Sequence, residues 1–489
     1  MGIRKPSWGR ITLVGLGMLA LLTPSHAWAQ DEQVGAGRLS AWHPCKDDPG
    51  KPGVECAELT VPVDWARPDG QKVRLDVKRH KAADPAQRLG TLMTGPGGPG
   101  QRGTVVVTDG YLPDSIRNSF DAIGYDSRGT GDTKAQCAPA PKAAPLPRNE
   151  AEFNTLLETN KRYGESCRTT PASLINHLDA VSDARDMEAL RGALGEEKLN
   201  YYGASYGTLR GQTYASLFPR RTGRMVLDGN MDHSIKDART FMGTETLAAE
   251  KNLNDFFDWC DTNTDCSLHA QGAKKTFSEV YAKAEQADKA GPGHVYDLVN
   301  EATIGASNGA VNKDSWRELA DEIGKHSSST TLPSADLTMD GPNQAIFCSD
   351  WNLPVKNYRA WKTMLSDIAR ESPNLKISEH ALAPSGVLGC MGWPRQATYP
   401  QQDLPKWNAS PRALMVESLH DAQTPYAWSQ AAARQGGAVL LTYDGGGHIV
   451  AWSGKMSGKV EKYLLTGTPP ADDTHCDDTH CYTRLSRGW

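Results

Sequence analysis

A surplus of positive charge is missing from this 489-residue sequence: Lys and Arg total 53 against 58 Asp and Glu, a formal charge of −5. A surface for phosphate backbones needs the reverse, so nucleic acid is not expected as a partner. Long apolar runs are missing too. The N-terminal run from Ile11 to Leu22 falls well short of the roughly 20 residues that a membrane span requires. Preceded by Arg4, Lys5 and Arg10 and followed by Ala27-Trp28-Ala29, it reads as a secretory signal peptide, residues 1–29, cleaved after Ala29. There is no Arg-Arg pair of the twin-arginine route, and no cysteine follows the run before Cys45, which argues against a lipid-modified N-terminus. The expected product is secreted, extracellular and, once the signal is removed, free of the membrane. Internal repeats are absent, and 38% hydrophobic with 23% charged residues excludes disordered and fibrous classes.

Cysteine is not scarce. Ten cysteines, an even number, in an exported chain point to disulfides before metal ligands. Pairing neighbours in sequence would give 45–56, 137–167, 260–266, 348–390 and 476–481, although sequence alone leaves connectivity open. The tail His475-Cys476 with His480-Cys481 has the alternative of a metal site, but its Cys-x4-Cys spacing is wider than a zinc knuckle. Glycine (47) and proline (30) make up about 16% of the chain against roughly 12% in average usage, a sign of many shaped loops.

Alternation is clearest at Val73, Leu75 and Val77, with Arg74, Asp76 and Lys78 on the opposite face, so the chain opens with antiparallel strands. Short apolar runs then end in glycine-rich loops: Leu89 to Thr94 before Gly95–Gly100, and Phe120 to Tyr125 before Asp126–Gly131. Val181, Ala184, Met187, Leu190 and Leu194 recur at helical spacing up to Gly195. Strands are expected at Lys198–Tyr202 and Arg224–Leu227, with a helix at Thr208–Phe218 between them. This rhythm predicts an α/β fold, a mostly parallel sheet with helices on both faces. It stops after Met231. Residues 232–405 carry helical stretches at Thr246–Trp259 and Phe277–Ala287 and a polar loop from His326 to Ser334, and read as an inserted, largely helical cap. Strands resume at Ala413–Leu419 and Ala438–Thr442. The expected organisation is a core in two parts, 30–231 and 406–489, the second with a disulfide tail, around the cap.

Gly203-x-Ser205-x-Gly207 lies between a predicted strand and a predicted helix, the context that turns a weak pattern into a nucleophile elbow. A serine hydroxyl needs a base, and the base needs an acceptor to hold its tautomer. Asp421 follows one later strand and His448 follows the next through Gly445-Gly446-Gly447, in the order Ser, Asp, His. Asp444 and Glu417 are alternatives for the acid, less well placed than a residue at a strand's end; His420 would point elsewhere. Gly97-Gly98-Pro99-Gly100 follows an early strand where the second oxyanion donor belongs, which assigns the donors to the N–H groups of Gly98 and Tyr206. No Lys-Ser or Lys-Thr pair follows it, so a phosphate loop is not expected.

These pieces together resemble a known family. Gly95–Gly100, Asp126-x-Arg128-Gly129, Ala184-Arg185-Asp186-Met187, Gly203–Thr208, Met225–Gly229, Ala345-Ile346-x-Cys348-x-Asp350-Trp351, Cys390-x-Gly392-Trp393-Pro394 and Thr424-Pro425 before Gly447-His448 are similar to the secreted tripeptidyl aminopeptidases and proline iminopeptidase relatives of actinobacteria, within the α/β-hydrolases. The resemblance implies a serine exopeptidase that releases short peptides, tripeptides first, from free N-termini through an acyl-enzyme, with Ser205, Asp421 and His448 as triad and no metal or cofactor. It also implies an acid for the substrate's ammonium group, for which Asp350 is the candidate; the alternative is that Asp350 caps or pairs structurally beside a disulfide. Gly95 stands where family members often carry Asn, and Gln101-Arg102 where small residues usually follow, changes expected to line the site. The competing reading is a carboxylesterase or amidase acting on a small metabolite with the same triad. A non-catalytic binding protein is disfavoured because all three triad residues are present.

Overall fold

Val73, Leu75 and Val77, alternate residues of β3 (Lys72–His80), are all buried, and they meet Val61, Leu59 and Ala57 of the antiparallel β2 (Val54–Pro62) in register. That shared face packs on the helix Ala180–Ala193 through Ala184, Met187 and Leu190. Lys78 departs from the alternation: on the polar face it is nonetheless buried, because Asp47 and Asp48 close over it at 2.8 and 2.6 Å. The computed structural model describes residues 37–483 apart from 109–110, 143–145, 311, 336–339 and 378–383. The expected signal peptide and its cleavage after Ala29 lie outside the described residues.

Beyond β3 the sheet becomes parallel. β5 (Asp121–Tyr125), β4 (Thr91–Gly95), β6 (Leu199–Ala204), β7 (Thr222–Asp228), β8 (Leu414–His420), β9 (Val439–Gly446) and β10 (Thr474–Cys476) run side by side in that order. β1 (Arg38–Leu39) on β2 and β11 (Cys481–Thr483) on β10 close the two ends antiparallel, making eleven strands in one sheet among the described residues. The central strands alternate between two cores. Met93, Ile123, Tyr201 and Met415 face one, and Leu92, Ala122, Tyr202 and Leu414 face the other. Helices therefore cover both faces, as a sheet buried along every residue of β4 and β5 requires.

Between β7 and β8 the described residues form helices and no strand. Ala238–Thr262, Ala273–Ala287, His294–Gly309 and Lys313–Ser328 build a core of their own around Phe257, Phe277, Val299 and Leu319. Two further helices, Gly341–Asp350 and Tyr358–Glu371, return toward the sheet. The polar loop expected from His326 begins three residues later, because Lys283 donates to the carbonyls of His326, Ser327 and Ser329 and so completes the last helical turn. None of the described helices is long and apolar enough to cross a membrane. All five disulfides join neighbours in sequence: 45–56, 137–167, 260–266, 348–390 and 476–481. The tail cysteines are thus bonded to each other and have no thiolate to offer a metal.

A buried ion pair ties the early sheet to its helix. The Arg128 guanidinium, fully enclosed, donates to both Asp186 oxygens at 2.7 and 2.6 Å and to the carbonyls of Val63 and His177. Asp186 also accepts from the Trp65 indole. Arg128→Met would leave the Asp186 carboxylate buried without its partner, so urea unfolding should register a loss of about 3–5 kcal/mol; a loss under about 1 kcal/mol would contradict this account of the pair.

Candidate active site

Ser205 follows β6 at φ 52° and ψ −125°, a left-handed conformation that a side-chain-bearing residue holds only when its surroundings impose it. The surroundings are backbone. The Ser205 N–H donates to the carbonyl of Asp228 at 2.8 Å, and its carbonyl accepts from the N–H and hydroxyl of Thr208. A Cβ at Gly207 would come within 2.1 Å of the Gly95 carbonyl oxygen, and one at Gly203 within 2.5 Å of the Tyr201 ring, so both flanking glycines are sterically required. The helix Tyr206–Leu217 starts immediately after, and the N–H of Tyr206, at its first position, has no carbonyl of its own helix to bond.

Asp421 and His448 lie side by side. Nδ1 of His448 lies 2.7 Å from Oδ2 of Asp421. The carboxylate is buried and also accepts from the N–H groups of Gln423 (2.7 Å) and Thr424 (3.0 Å) and from the Thr424 hydroxyl (2.9 Å). Burial alone would raise the Asp421 pKa, but the His448 charge and these hydrogen bonds bring it below the usual carboxylate value. Burial pulls His448 the other way; the Asp421 charge and hydrogen bond, with Asp228 behind, raise it above 6.5. The alternative partners are engaged elsewhere: Asp444 with His475 and Tyr482, Glu417 with Asn230 and Ser429, His420 with Asn252.

Ser205 and His448 line one cavity of about 300 Å³. Its floor is the loop 97–99, which approaches so closely that a Cβ at Gly97 would sit 2.6 Å from that of Ser205. Gly98 stands in this loop at φ 106°. The roof is the first part of the cap helix Gly341–Asp350: Asp340, Asn343, Gln344 and Phe347. Asn343 fits where Gly100 has no side chain, its Oδ1 lying 1.7 Å from where a Cβ would be. Of the three departures from the family pattern, Gln101 lines the cavity. The other two do not. A Cβ at Gly95 would collide with the Tyr201 hydroxyl at 1.8 Å, and Arg102 turns away to Asp126 at 2.6 Å.

Residues 95–282 match the family described as alpha/beta hydrolase fold, and residues 377–476 the one described as TAP-like protein. The tripeptidyl aminopeptidase of Streptomyces lividans is 29% identical over 470 aligned residues, spanning 89% of this chain and 86% of its own. Serine protease Hip1 of Mycobacterium tuberculosis is 27% identical over 516, spanning 96% and 97%. The chain is a serine peptidase of α/β-hydrolase fold, similar to the TAP-like proteins. Carboxylesterase B of Mycobacterium tuberculosis is also similar, at 26% over 532 residues, 97% of this chain and 98% of its own.

One expectation for this hydrolase is corrected. Asp350 does not line the cavity and is 1% exposed at the far end of the cap helix. Its oxygens accept from the N–H of Ala180 and the hydroxyl of Tyr206, both at 2.7 Å, and burial holds its carboxyl well above the usual range. The structural alternative describes it: Asp350 ties the cap to the helix Ala180–Ala193 and to the residue after Ser205. The acid that faces the cavity is Asp340, ten residues earlier. It caps the helix, accepting from the N–H and side chain of Asn343. The sequence carries its signal, Asp340-Gly341-Pro342 ahead of an apolar run, an N-cap followed by a helix-opening proline.

The hydrolase's His448 should titrate above 6.5 in an NMR series, and Asp421→Asn, which removes the charge that raises it, should lower the midpoint. A midpoint in the variant equal to or above that of the parent would overturn the electrostatic reading.

Proposed function

We propose that this serine peptidase is exported and releases short peptides, tripeptides among them, from free N-termini through an acyl-enzyme on Ser205. The observation that carries the reading is one cavity lined by an elbow serine, an Asp-paired histidine and, in its roof, the carboxylate of Asp340, which has no ion pair among the described residues. Export is supported by the signal-like first 29 residues and by five disulfides. A volume of about 300 Å³, at the low end of ligand pockets, suits a short segment better than a folded chain.

In this mechanism Asp421 holds the proton on Nδ1 of His448, leaving Nε2 free to take the Ser205 proton. Oγ then attacks the scissile carbonyl, and the negative oxygen accepts from the N–H groups of Gly98 and Tyr206. Collapse breaks the C–N bond as His448 protonates the departing amine. Water, deprotonated by the same histidine, releases the acyl product. The carboxylate of Asp340 holds the α-ammonium group of the substrate and so counts residues from the N-terminus. A second reading, an esterase or amidase with the same machinery, is favoured by the likeness to a carboxylesterase over nearly the whole chain; it requires no bond to an ammonium group.

Ser205→Ala should fold normally, with an unchanged melting curve, and lose on the order of 10⁴-fold or more in turnover. A folded variant with parental activity would remove Ser205 from the mechanism.

Asp340→Asn keeps a good helix cap while removing the charge. It should lower kcat/KM for free tripeptide substrates by roughly 2 kcal/mol, leave N-acetylated peptides equally poor, and spare a small p-nitrophenyl ester. Asp350→Asn, acting through Ala180 and Tyr206, should depress peptide and ester together. Ester turnover without cleavage of any free tripeptide would favour the second reading.

A further inference from the structure

Asp228 ends β7 beside the strand that carries Ser205, with Ala204 and Asp228 paired in register. Its carbonyl accepts the Ser205 N–H. Its side chain, with no exposed surface, reaches the other way: Oδ1 accepts from the N–H of Val450, and Oδ2 from the N–H of Ala451 and the hydroxyl of Tyr202, all at 2.9 Å. Val450 and Ala451 lie two and three residues past His448. A single residue therefore holds the backbone of the elbow with one group and the backbone of the histidine loop with another.

That loop needs holding. Gly447 and Ile449, on either side of His448, both have positive φ, 101° and 66°. Glycine adopts such a value freely, but a β-branched isoleucine holds it only at a cost in strain. Two hydrogen bonds from N–H groups to a buried carboxylate, placed directly after the strained residue, offset that cost. The residue after Asp228 makes room for the ring: Gly229 has φ 70°, and a Cβ there would lie 2.9 Å from Cε1 of His448.

We propose that Asp228 is a positioning residue for the hydrolytic reaction: by clamping the N–H groups of Val450 and Ala451 while bonding the Ser205 N–H, it sets the separation between the hydroxyl and the imidazole. The proposal rests on the roles given above to Ser205 and His448 and extends them to a residue that touches neither substrate nor reacting atoms. Without the clamp, Ile449 relaxes out of the left-handed region and carries the ring away from Ser205. Substrate binding, which uses the cap and the 97–99 loop, stays.

The test is Asp228→Asn in the full-length protein, assayed with a p-nitrophenyl ester and the best available peptide substrate. One of the two backbone N–H groups then faces an amide NH2 instead of an oxygen. The expected result is a fall in kcat on the order of 10²-fold, the scale of a misplacement of about 1 Å, with KM altered by less than threefold. The low-field proton resonance of the His448–Asp421 hydrogen bond should shift or broaden in the same variant. Parental kcat in a folded Asp228→Asn protein overturns the proposal, as does a fall in kcat matched by an equal rise in KM. If this variant does not fold, Tyr202→Phe carries the test, since the carboxylate then lacks the hydroxyl that orients it: a reduced kcat at constant KM supports the clamp and an unchanged kcat overturns it. Ser205→Ala, run alongside, separates the two levels. If it is inactive while Asp228→Asn is fully active, the clamp fails and the proposed function stands; if it is active, both fall.

Discussion

A serine at a φ of 52° does not stay there by itself, and much of the sheet's order follows from keeping it there. The Asp228 carbonyl that takes its N–H is available only because β7 lies parallel to β6 in the register that pairs Ala204 with Asp228. On the other side β4 must come close enough for the Gly95 carbonyl to lie against Gly207, which forbids a side chain at Gly207. Tyr201 completes the arrangement. Its hydroxyl donates to the Gly207 carbonyl and fills the volume that a side chain at Gly95 would need, so a glycine that looks like a departure from the family at the site is a packing partner beneath it.

Around this centre the polar interior is organised to leave few charges alone. Arg128 and Asp186 join the end of β5 to the helix behind the sheet, Arg210 from the helix after Ser205 pairs with Asp183 at 3.0 Å, and Tyr125 donates to the same carboxylate. Asp350 adds the cap to this set through Tyr206 and Ala180. The cap is thereby joined to the core by buried polar contacts, and its cavity-facing end is free to be chemically different from its anchored end. One ten-residue helix serves both purposes: Asp340 at its start meets solvent and cavity, Asp350 at its end meets the core.

Much of this is legible in the amino-acid sequence. Val73, Leu75 and Val77 announced a strand by alternation, and Gly203-x-Ser205-x-Gly207 announced a turn, because local sterics write themselves into residue type. Asp421 and His448 were readable because each directly follows a strand, and their spatial meeting then needs only the strand order. What sequence did not show depends on distant segments. Whether Asp350 or Asp340 faces the cavity is decided by how the cap helix lies on Tyr206, 144 residues away from Asp350 in sequence. Lys78 looks like a surface residue until the loop bearing Asp47 and Asp48 folds over it. The helix that runs through His326 to Ser328 gains its last turn from Lys283 on a neighbouring helix, a contribution no local pattern contains.

The fit of Asn343 into the space above Gly100 carries a consequence for how such a chain can diverge. The two residues belong to segments separated by three strands in sequence, one beside the floor of the cavity and one in its roof, yet they occupy a single volume between them. Neither is free to drift alone: enlarging position 100 demands a smaller residue at 343, and a smaller residue at 343 opens a gap over the floor. Variation in the cap, where new substrate preferences would arise, is therefore bound at this point to a sterically tight loop of the core, and the pair is where descent should record compensating changes rather than independent ones.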